Sequence, residues 1–212
     1  MIVSLSILNI EKENRCVKIN EFMEVEDNWI HFDVMDGNFV ENKTFAYEVV
    51  EEVNKYCSFF KDVHLMTYEP EKYLKKYKES GADQITFHYE SICKDQIMPL
   101  ITLIKELNMK VGISIKPSTN IDAIKEYLPY LDLVLVMSVE PGKGGQKFME
   151  SSLDKIKWLK ANRDGNHYLI SVDGGINNET SRLVKEAGAD VIVVGTYLTK
   201  EKITKEKVLS LN

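Results

Sequence analysis

The chain is short of cysteine, carries no surplus of positive charge and contains no long hydrophobic run, and each shortage removes a class of explanation. Its three cysteines, Cys16, Cys57 and Cys93, are scattered with no C-x-x-C spacing. Such a set offers neither a disulfide framework nor a zinc-finger pattern, and it suits the reducing cytoplasm. A formal net charge of −6 speaks against a general nucleic-acid or anionic-membrane surface, though it leaves room for a small local basic site. No apolar run reaches the length that crosses a bilayer. Residues 1–10 are apolar but lack a basic start and a small-residue cleavage site, so they read as a first strand and not as a signal peptide. Low-complexity segments and interior linkers are absent. A chain of 212 residues is enough for one sizeable core and too short for two ordinary enzyme domains. The expectation is a single domain over residues 1–212.

What the sequence does contain is alternation. Strands are expected over 2–8, 29–35, 59–66, 83–89, 110–115, 132–139, 168–172 and 190–194. Helices are expected over 11–25, from a Thr44 cap to about 56, over 71–79 with Pro70 in the first turn, over 95–107, over 122–127 behind an Asn120 cap, over 150–162, from Asn177 or Asn178 to 187, and over 200–209. Strict strand–helix alternation implies a parallel sheet with helical crossovers. Eight pairs on a chain of this length fit a closed (β/α)8 TIM barrel of α/β class. A doubly wound open sheet is the alternative, disfavoured because no G-x-G-x-x-G follows the first strand. An internal echo agrees with the barrel: E-S-G-A-D-Q-I-T-F at 79–87 matches E-A-G-A-D-V-I-V-V at 186–194, about half the chain later. Helix–Gly–strand joints also favour G-A-D on geometric grounds alone.

Residues 29–37, W-I-H-F-D-V-M-D-G, organise the rest. Trp29, Ile30, Phe32, Val34 and Met35 are β-prone and fit for burial, and Asp36-Gly37 ends the strand with turn chemistry. His31 and Asp33 interrupt this run two residues apart, so imidazole and carboxylate project from one face. An unpaired buried charge is costly, which leaves a His–Asp pair in a core or a metal site.

In a barrel the active site lies at the C-terminal ends of the strands. The polar residues near those ends are Ser6, His31, Asp33, His64, His88 and Asp173, while Met35, Met66 and Met137 end strands two, three and six. Two imidazoles and two carboxylates can hold a divalent ion, with zinc, iron, manganese or cobalt better suited than calcium. No close H-x-x-x-H spacing occurs, but ligands drawn from separate strands need none. Gly142-Lys143-Gly144-Gly145 follows strand six, Gly174-Gly175 strand seven and Gly195-Thr196 strand eight. Any one of these reads as a tight turn. Three at one rim read as a phosphate site, because glycine lets backbone N–H groups approach an anion. Together the two constellations suggest a phosphorylated substrate, a metal that polarises its oxygens, and two aspartates that move a proton next to a carbonyl through an enediolate.

At these residues the sequence resembles the ribulose-phosphate 3-epimerase family. The resemblance is carried by S-I-L (6–8), W-I-H-F-D-V-M-D-G-N-F-V (29–40), D-V-H-L-M (62–66), G-A-D-Q-I-T-F-H-Y-E (81–90), V-M-S-V-E-P-G-K-G-G-Q-K-F (136–148), V-D-G-G-I-N (172–177) and G-A-D-V-I-V-V-G-T (188–196). It implies C3 epimerisation between D-ribulose 5-phosphate and D-xylulose 5-phosphate in the pentose phosphate pathway. It implies His31, Asp33, His64 and Asp173 as ligands of one divalent metal, with Asp33 and Asp173 also the acid–base pair. Ser6 and His64 would touch the sugar. Gly142, Lys143, Gly144, Gly145, Gly174, Gly175, Gly195 and Thr196 would line the phosphate side, and Met35, Met66 and Met137 would pack around the reacting carbons, plain core packing being their alternative. His88 reads as a core histidine or one behind a ligand, and His167 as solvated. The expected partner is a phosphorylated ketose, with neither nucleic acid nor membrane, and the expected assembly a homo-oligomer.

The sequence departs from the family pattern at Leu5, at N-I-E-K-E-N (9–14), at Glu41, at Lys143 in place of an aromatic residue, and at K-P-S-T-N (116–120). None removes a proposed ligand, but Leu5, the 9–14 stretch and Lys143 bear on the lid and so on the sugar. Lys143 either reaches the phosphate or faces solvent. Three other readings compete: an epimerase of a related ketose phosphate such as allulose 6-phosphate, a decarboxylase or hexulose-phosphate synthase of the D-x-K-x-x-D type, whose motif is absent from strand two, and a non-catalytic sugar-phosphate-binding barrel.

Overall fold

The computed structural model describes residues 1–25 and 28–212. Eight parallel strands close on themselves in chain order: β1 (Ile2–Ser6), β2 (Trp29–Met35), β3 (Phe60–Met66), β4 (Gln84–His88), β5 (Lys110–Ile115), β6 (Leu133–Met137), β7 (Leu169–Asp173) and β8 (Val191–Val194). The expected (β/α)8 barrel is the observed fold. Its α-helices are α1 (Lys12–Met23), α2 (Tyr47–Asn54), α3 (Leu74–Glu79), α4 (Lys94–Glu106), α5 (Ser152–Ala161), α6 (Thr180–Ala187), α7 (Thr196–Thr199) and α8 (Lys205–Leu209).

The helices cover the barrel through apolar stripes. In α4, Ile97, Leu100, Ile101 and Ile104 are buried, the i, i+3, i+4, i+7 pattern of a core-facing helix. Burying each such side chain contributes about 2 kcal/mol. The strands are apolar on the face that meets the helices, where Val3, Leu5, Ile30, Phe32, Val63, Ile85 and Phe87 are buried.

The inner face is different. Parallel registers step each strand relative to the next, so inward side chains from alternate strands fall into rings. Ser4, Asp62, Gly112 and Ser171 share one ring. His31, Thr86, Leu135 and Val193 lie above it, then Ser6, His64, Ser114 and Asp173, with Asp33, His88 and Met137 at the mouth. Leu133, Leu135, Met137, Val139 and Val193 make one wall apolar; the remaining walls are rich in hydroxyl, imidazole and carboxylate groups.

At the opposite end of the barrel a clasp repeats. Asn28, Asp83, Asp132 and Asp190 stand immediately before β2, β4, β6 and β8. Their side-chain oxygens accept the backbone N–H of Val3, Lys61, Val111 and Ile170 at 3.2, 2.8, 2.9 and 2.9 Å. Each donor is the second residue of the preceding strand. The three aspartates also return their own N–H to the carbonyls of Lys61, Val111 and Ile170 at 3.1, 2.8 and 2.8 Å. The G-A-D echo has this cause. Gly81 and Gly188 take left-handed φ of 94° and 115°, Ala82 and Ala189 close the helix by bonding back to Tyr77 and Val184 at 3.0 and 2.9 Å, and the aspartate then clasps the neighbouring strand.

Several elements differ from expectation for local reasons. Thr44 caps no helix. Its hydroxyl donates to the Asp33 carbonyl at 2.7 Å and accepts the Met35 N–H at 2.9 Å, finishing β2, and α2 begins later at Tyr47. Residues Pro70–Tyr73 form a 3₁₀ turn ahead of α3. Ile121–Tyr130 is a 3₁₀ helix that buries Ile121, Ile124 and Tyr127, a three-residue spacing suited to three residues per turn. Asn120 caps it as expected, accepting the Asp122 N–H at 3.0 Å. Of the two asparagines before α6, Asn177 orders the turn into the helix, accepting the N–H groups of Glu179 and Thr180 at 2.8 and 3.0 Å, while the N-cap position itself is Glu179. The single helix expected over 200–209 is two: the Ile203 N–H is drawn to Glu21 Oε2 at 3.0 Å, and Thr204 starts α8 by accepting the Lys207 N–H at 3.3 Å.

Candidate active site

The mouth of the barrel is where the inner-face polarity concentrates. His31, Asp33, His64 and Asp173 each offer a donor atom, and these atoms lie within 4.8 Å of one another. β2 supplies the first two because alternate residues share a face, β3 supplies His64, and β7 ends on Asp173. His31 and His64 have no exposed surface.

Each ring is oriented from behind. His31 Nδ1 lies 2.8 Å from Asp62 Oδ2, and Asp62 is itself held by Gln84 Nε2, which donates to Oδ1 at 2.8 Å, and by the Thr86 hydroxyl at 3.4 Å. Among the described residues the buried His31 Nε2 has no hydrogen-bond partner, although Asp33 Oδ1 is 3.3 Å and Asp173 Oδ2 4.0 Å away. His64 Nδ1 lies 3.2 Å from Asp33 Oδ1, and its Nε2 lies 2.9 Å from His88 Nε2. His88 Nδ1 lies 3.0 Å from Glu90 Oε2. The Ser6 hydroxyl donates to Asp33 Oδ2 at 2.8 Å.

The charges in this cluster pull against one another. Burial disfavours a charged His31, yet Asp33 and Asp62 outweigh it and hold the imidazole well above its ordinary value. Burial also opposes the Asp33 carboxylate, but His31 and His64 keep it well below the usual range. Burial and the neighbouring Asp33 charge push Asp173 up, and burial pushes His64 down. The buried Asp33 carboxylate, the half-buried Asp173 carboxylate and two buried imidazoles lie together, and His31 Nε2 has no hydrogen-bond partner among the described residues; this is the donor set that a divalent cation satisfies. The residues fit a metal.

Beside this cluster opens a cavity of about 270 Å³. Ser6, Asp33, Asp173, Met35, Met66 and Met137 line it together with Gly142, Lys143, Gly144, Gly145, Gly174, Gly175, Gly195 and Thr196. The two sets read from sequence therefore face one space. The two histidine ligand candidates are not among the residues that line it; His64, expected to touch the sugar, meets Asp33 through Nδ1, 3.2 Å from Oδ1. Lys143 is exposed and also borders a second hollow between 37–42 and 140–146. These two loops are joined by Asn42 Nδ2, which donates to the Gly142 carbonyl at 2.7 Å.

Gly174 and Gly175 are required by the fold as well as by the cavity. Their φ values are 123° and 66°, and a Cβ would stand 2.5 Å from Val139 Cγ2 and from the Phe148 backbone nitrogen respectively. Gly195 is different: a Cβ there would meet nothing nearer than Ser6 Cβ at 3.5 Å, so the space in front of it belongs to the cavity.

His88 lies behind a ligand candidate, as expected, and His167 is exposed. Asp62, Gln84, Thr86 and Glu90 escaped the sequence reading. The available signal was strand periodicity, since Asp62 stands two residues before His64 on the same face and Gln84 and Thr86 stand on the face of His88. Asn9, Asn177 and Lys200, which also line the cavity, come from loops with no periodic pattern.

Residues 2–199 match the ribulose-phosphate 3 epimerase family. A ribulose-phosphate 3-epimerase of Candida glabrata is 41% identical over 212 residues, covering 92% of this chain and 84% of the relative. One of Aquifex aeolicus is 45% identical over 169 residues, covering 79% and 75%. Among solved structures, a 3-hexulose-6-phosphate synthase superposes with a TM-score of 0.75 at 18% identity, covering 100% of this chain and 98% of the other; at that identity the likeness is one of fold.

Proposed function

The chain belongs to the ribulose-phosphate 3-epimerase family, and we propose that it interconverts D-ribulose 5-phosphate and D-xylulose 5-phosphate by carrying the C3 proton from one face of the sugar to the other. One observation carries this reading: His31, Asp33, His64 and Asp173 converge within 4.8 Å beside a cavity with a glycine-rich lining.

His31, Asp33, His64 and Asp173 would hold a divalent ion, which would polarise the substrate's oxygens and so acidify the C3 proton. Zinc, iron, manganese and cobalt all suit two imidazoles and two carboxylates. The proton itself is moved by this chain's own groups. Asp33 comes from β2 and Asp173 from β7, so the two carboxylates approach the cavity from different strands. One removes the C3 proton and the other returns a proton on the opposite face, with roles exchanged in the reverse direction. The Ser6 hydroxyl on Asp33 Oδ2 fixes the direction in which that carboxylate points. Met35, Met66 and Met137 exclude water from the reacting end. The phosphate lies against Gly142, Gly144, Gly145, Gly174, Gly175, Gly195 and Thr196, with the Lys143 ammonium group adding charge at the rim.

Residues 1–212 act as one catalytic domain, assembled as a homo-oligomer in the cytoplasm. Three cysteines, all free, suit a reducing compartment, and among the described residues no helix is long and apolar enough to cross a membrane.

An NMR time course of D-ribulose 5-phosphate in D2O tests the proposal, run before and after chelator treatment. Xylulose 5-phosphate deuterated at C3, lost on metal removal, is the expected result. Turnover that survives verified metal removal leaves the aspartates and deletes the metal. No exchange by folded, metal-loaded protein sinks the pentose phosphate as substrate and directs the assay to six-carbon ketose phosphates.

A further inference from the structure

We propose that Glu90 and His88 are positioning residues for the metal centre: through His64 they hold the proton on His64 Nε2 and so keep Nδ1 free to bind the ion. The inference rests on the metal-centre reading above.

With an ion bound at the cluster, the geometry admits one consistent arrangement. His64 Nε2 and His88 Nε2 are 2.9 Å apart, so one of the two nitrogens carries the hydrogen and the other accepts it. A nitrogen that binds a metal carries no hydrogen. His64 Nδ1 is the nitrogen that faces the cluster, 3.2 Å from Asp33 Oδ1. With Nδ1 on the metal, neutral His64 has its hydrogen on Nε2 and donates to His88 Nε2. Neutral His88 then has its own hydrogen on Nδ1 and donates to Glu90 Oε2 at 3.0 Å. Every nitrogen is satisfied, and the chain of donors ends on a carboxylate. In the reverse sense, His88 Nε2 would donate to His64, His64 would carry its hydrogen on Nδ1 where the metal belongs, and the His88 Nδ1 lone pair would face the Glu90 carboxylate.

Glu90 is built to be the fixed end. Its other oxygen, Oε1, accepts the Lys116 backbone N–H at 2.8 Å and the Thr119 hydroxyl, so Oε2 has one direction in which to point. His88 cannot swing away, because the Phe39 ring lies 4.8 Å from it centre to centre and its side chain has no exposed surface. The result parallels the other imidazole. Asp62 orients His31 directly, and Glu90 orients His64 through one intervening ring. Carboxylates behind ligating histidines fix tautomer and ring angle; here the second carboxylate acts at one remove.

The test uses the full chain, 15N-labelled at histidine and loaded with zinc. Long-range 1H–15N NMR is expected to find His64 protonated at Nε2 with Nδ1 shifted by the metal, and His88 protonated at Nδ1. Zinc affinity is then measured by competition with a chromophoric chelator. His88→Leu and Glu90→Gln are expected to weaken it about 10- to 100-fold, and His88→Gln, whose amide oxygen can still accept from His64, to recover part of the loss. A residue that merely fills space would give leucine and glutamine the same affinity. Metal on His64 Nε2, or unchanged affinity in variants whose melting temperatures show them folded, overturns the inference while the metal centre stands. Failure of the unaltered chain to take up zinc, cobalt or manganese overturns the metal centre and this inference with it. If a variant does not fold, the NMR of the unaltered chain decides alone.

Discussion

Asp62 Oδ2 lies 2.8 Å from His31 Nδ1, and that contact turns the ring's other nitrogen, which has no partner of its own, toward Asp33 and Asp173. Asp62 is buried and is held in place by Gln84 and Thr86, so it cannot follow His31 elsewhere. Asp62→Ala is expected to weaken metal binding by about 10- to 100-fold. Asp62→Asn, whose side-chain oxygen can still accept from Nδ1, is expected to fall between the two. Chelator competition measures both.

Asp33→Asn and Asp173→Asn are each expected to lower kcat by at least about 10²- to 10⁴-fold, the contribution of a positioned acid or base. The two variants should differ in hydrogen exchange. With one base left, C3 exchange with D2O persists from one epimer only, and from the opposite epimer in the other variant. Metal content is measured first, because both residues also belong to the ligand set. Exchange from the same epimer in both variants would exclude a two-face mechanism.

Lys143→Ala is expected to raise KM for the sugar phosphate several-fold and to leave kcat unchanged. An exposed ammonium group at the rim holds the phosphate equally in the ground and transition states, and loss of uniform binding appears in KM alone. An unchanged KM assigns the side chain to solvent.

Glu90 gives the protein a pH signature. Burial works against its charge, but His88, the Thr119 hydroxyl and the Lys116 N–H outweigh it and hold the pKa down at about 2, against an ordinary 4.5. A depressed carboxylate stabilises the native state fully above its unfolded pKa, and that stabilisation drains away as pH falls through the folded one. The gap in urea midpoint between the parent and Glu90→Gln is therefore expected to be widest at pH 5 and above and to shrink as pH drops toward 2. A gap that does not change with pH contradicts the assignment.

The clasps at the far end of the barrel predict the reverse division of effects. Asp132→Ala removes the acceptor for the Val111 N–H and the partner of Lys110 Nζ, 2.8 Å away. It is expected to cost about 1–3 kcal/mol of stability, as for hydrogen bonds to a charged group, while kcat stays at the parent value. Chemical denaturation and the epimerase assay together check it.

The barrel was legible because its strands are apolar, short and regularly spaced, and the site because its residues sit on strands. Period two brings His31 beside Asp33 and ends β2, β3 and β6 on Met35, Met66 and Met137. Where hydrogen bonds outside the periodic pattern decide, the sequence misled. Thr44 looks like a helix cap and is a strand terminator, and 200–209 looks continuous until Glu21 captures the Ile203 N–H. Partners that act at a distance in sequence were the least visible. Nothing in the spacing of His88, Glu90 and Thr119 says that they meet behind His64, because the loop after β5 brings Lys116 and Thr119 across to Glu90.

The clasps also divide the molecule. Through side chains, Val3 with Asn28, Lys61 with Asp83, Val111 with Asp132 and Ile170 with Asp190 each join an odd strand to the even strand that follows it, while the backbone carbonyls of Asp83, Asp132 and Asp190 accept the N–H of Lys110, Leu169 and Ile2 at 2.9 Å and reach the next odd strand. The side-chain clasps thus group the strands of the closed ring two by two, and a cut between β4 and β5 leaves all four clasps whole. The two G-A-D segments, about half a chain apart, supply the second and the fourth of these clasps through Asp83 and Asp190. The mouth does not follow this division: His31, Asp33 and His64 lie in the first half of the chain and Asp173 in the second, so the cluster bridges the two halves that the clasps keep apart.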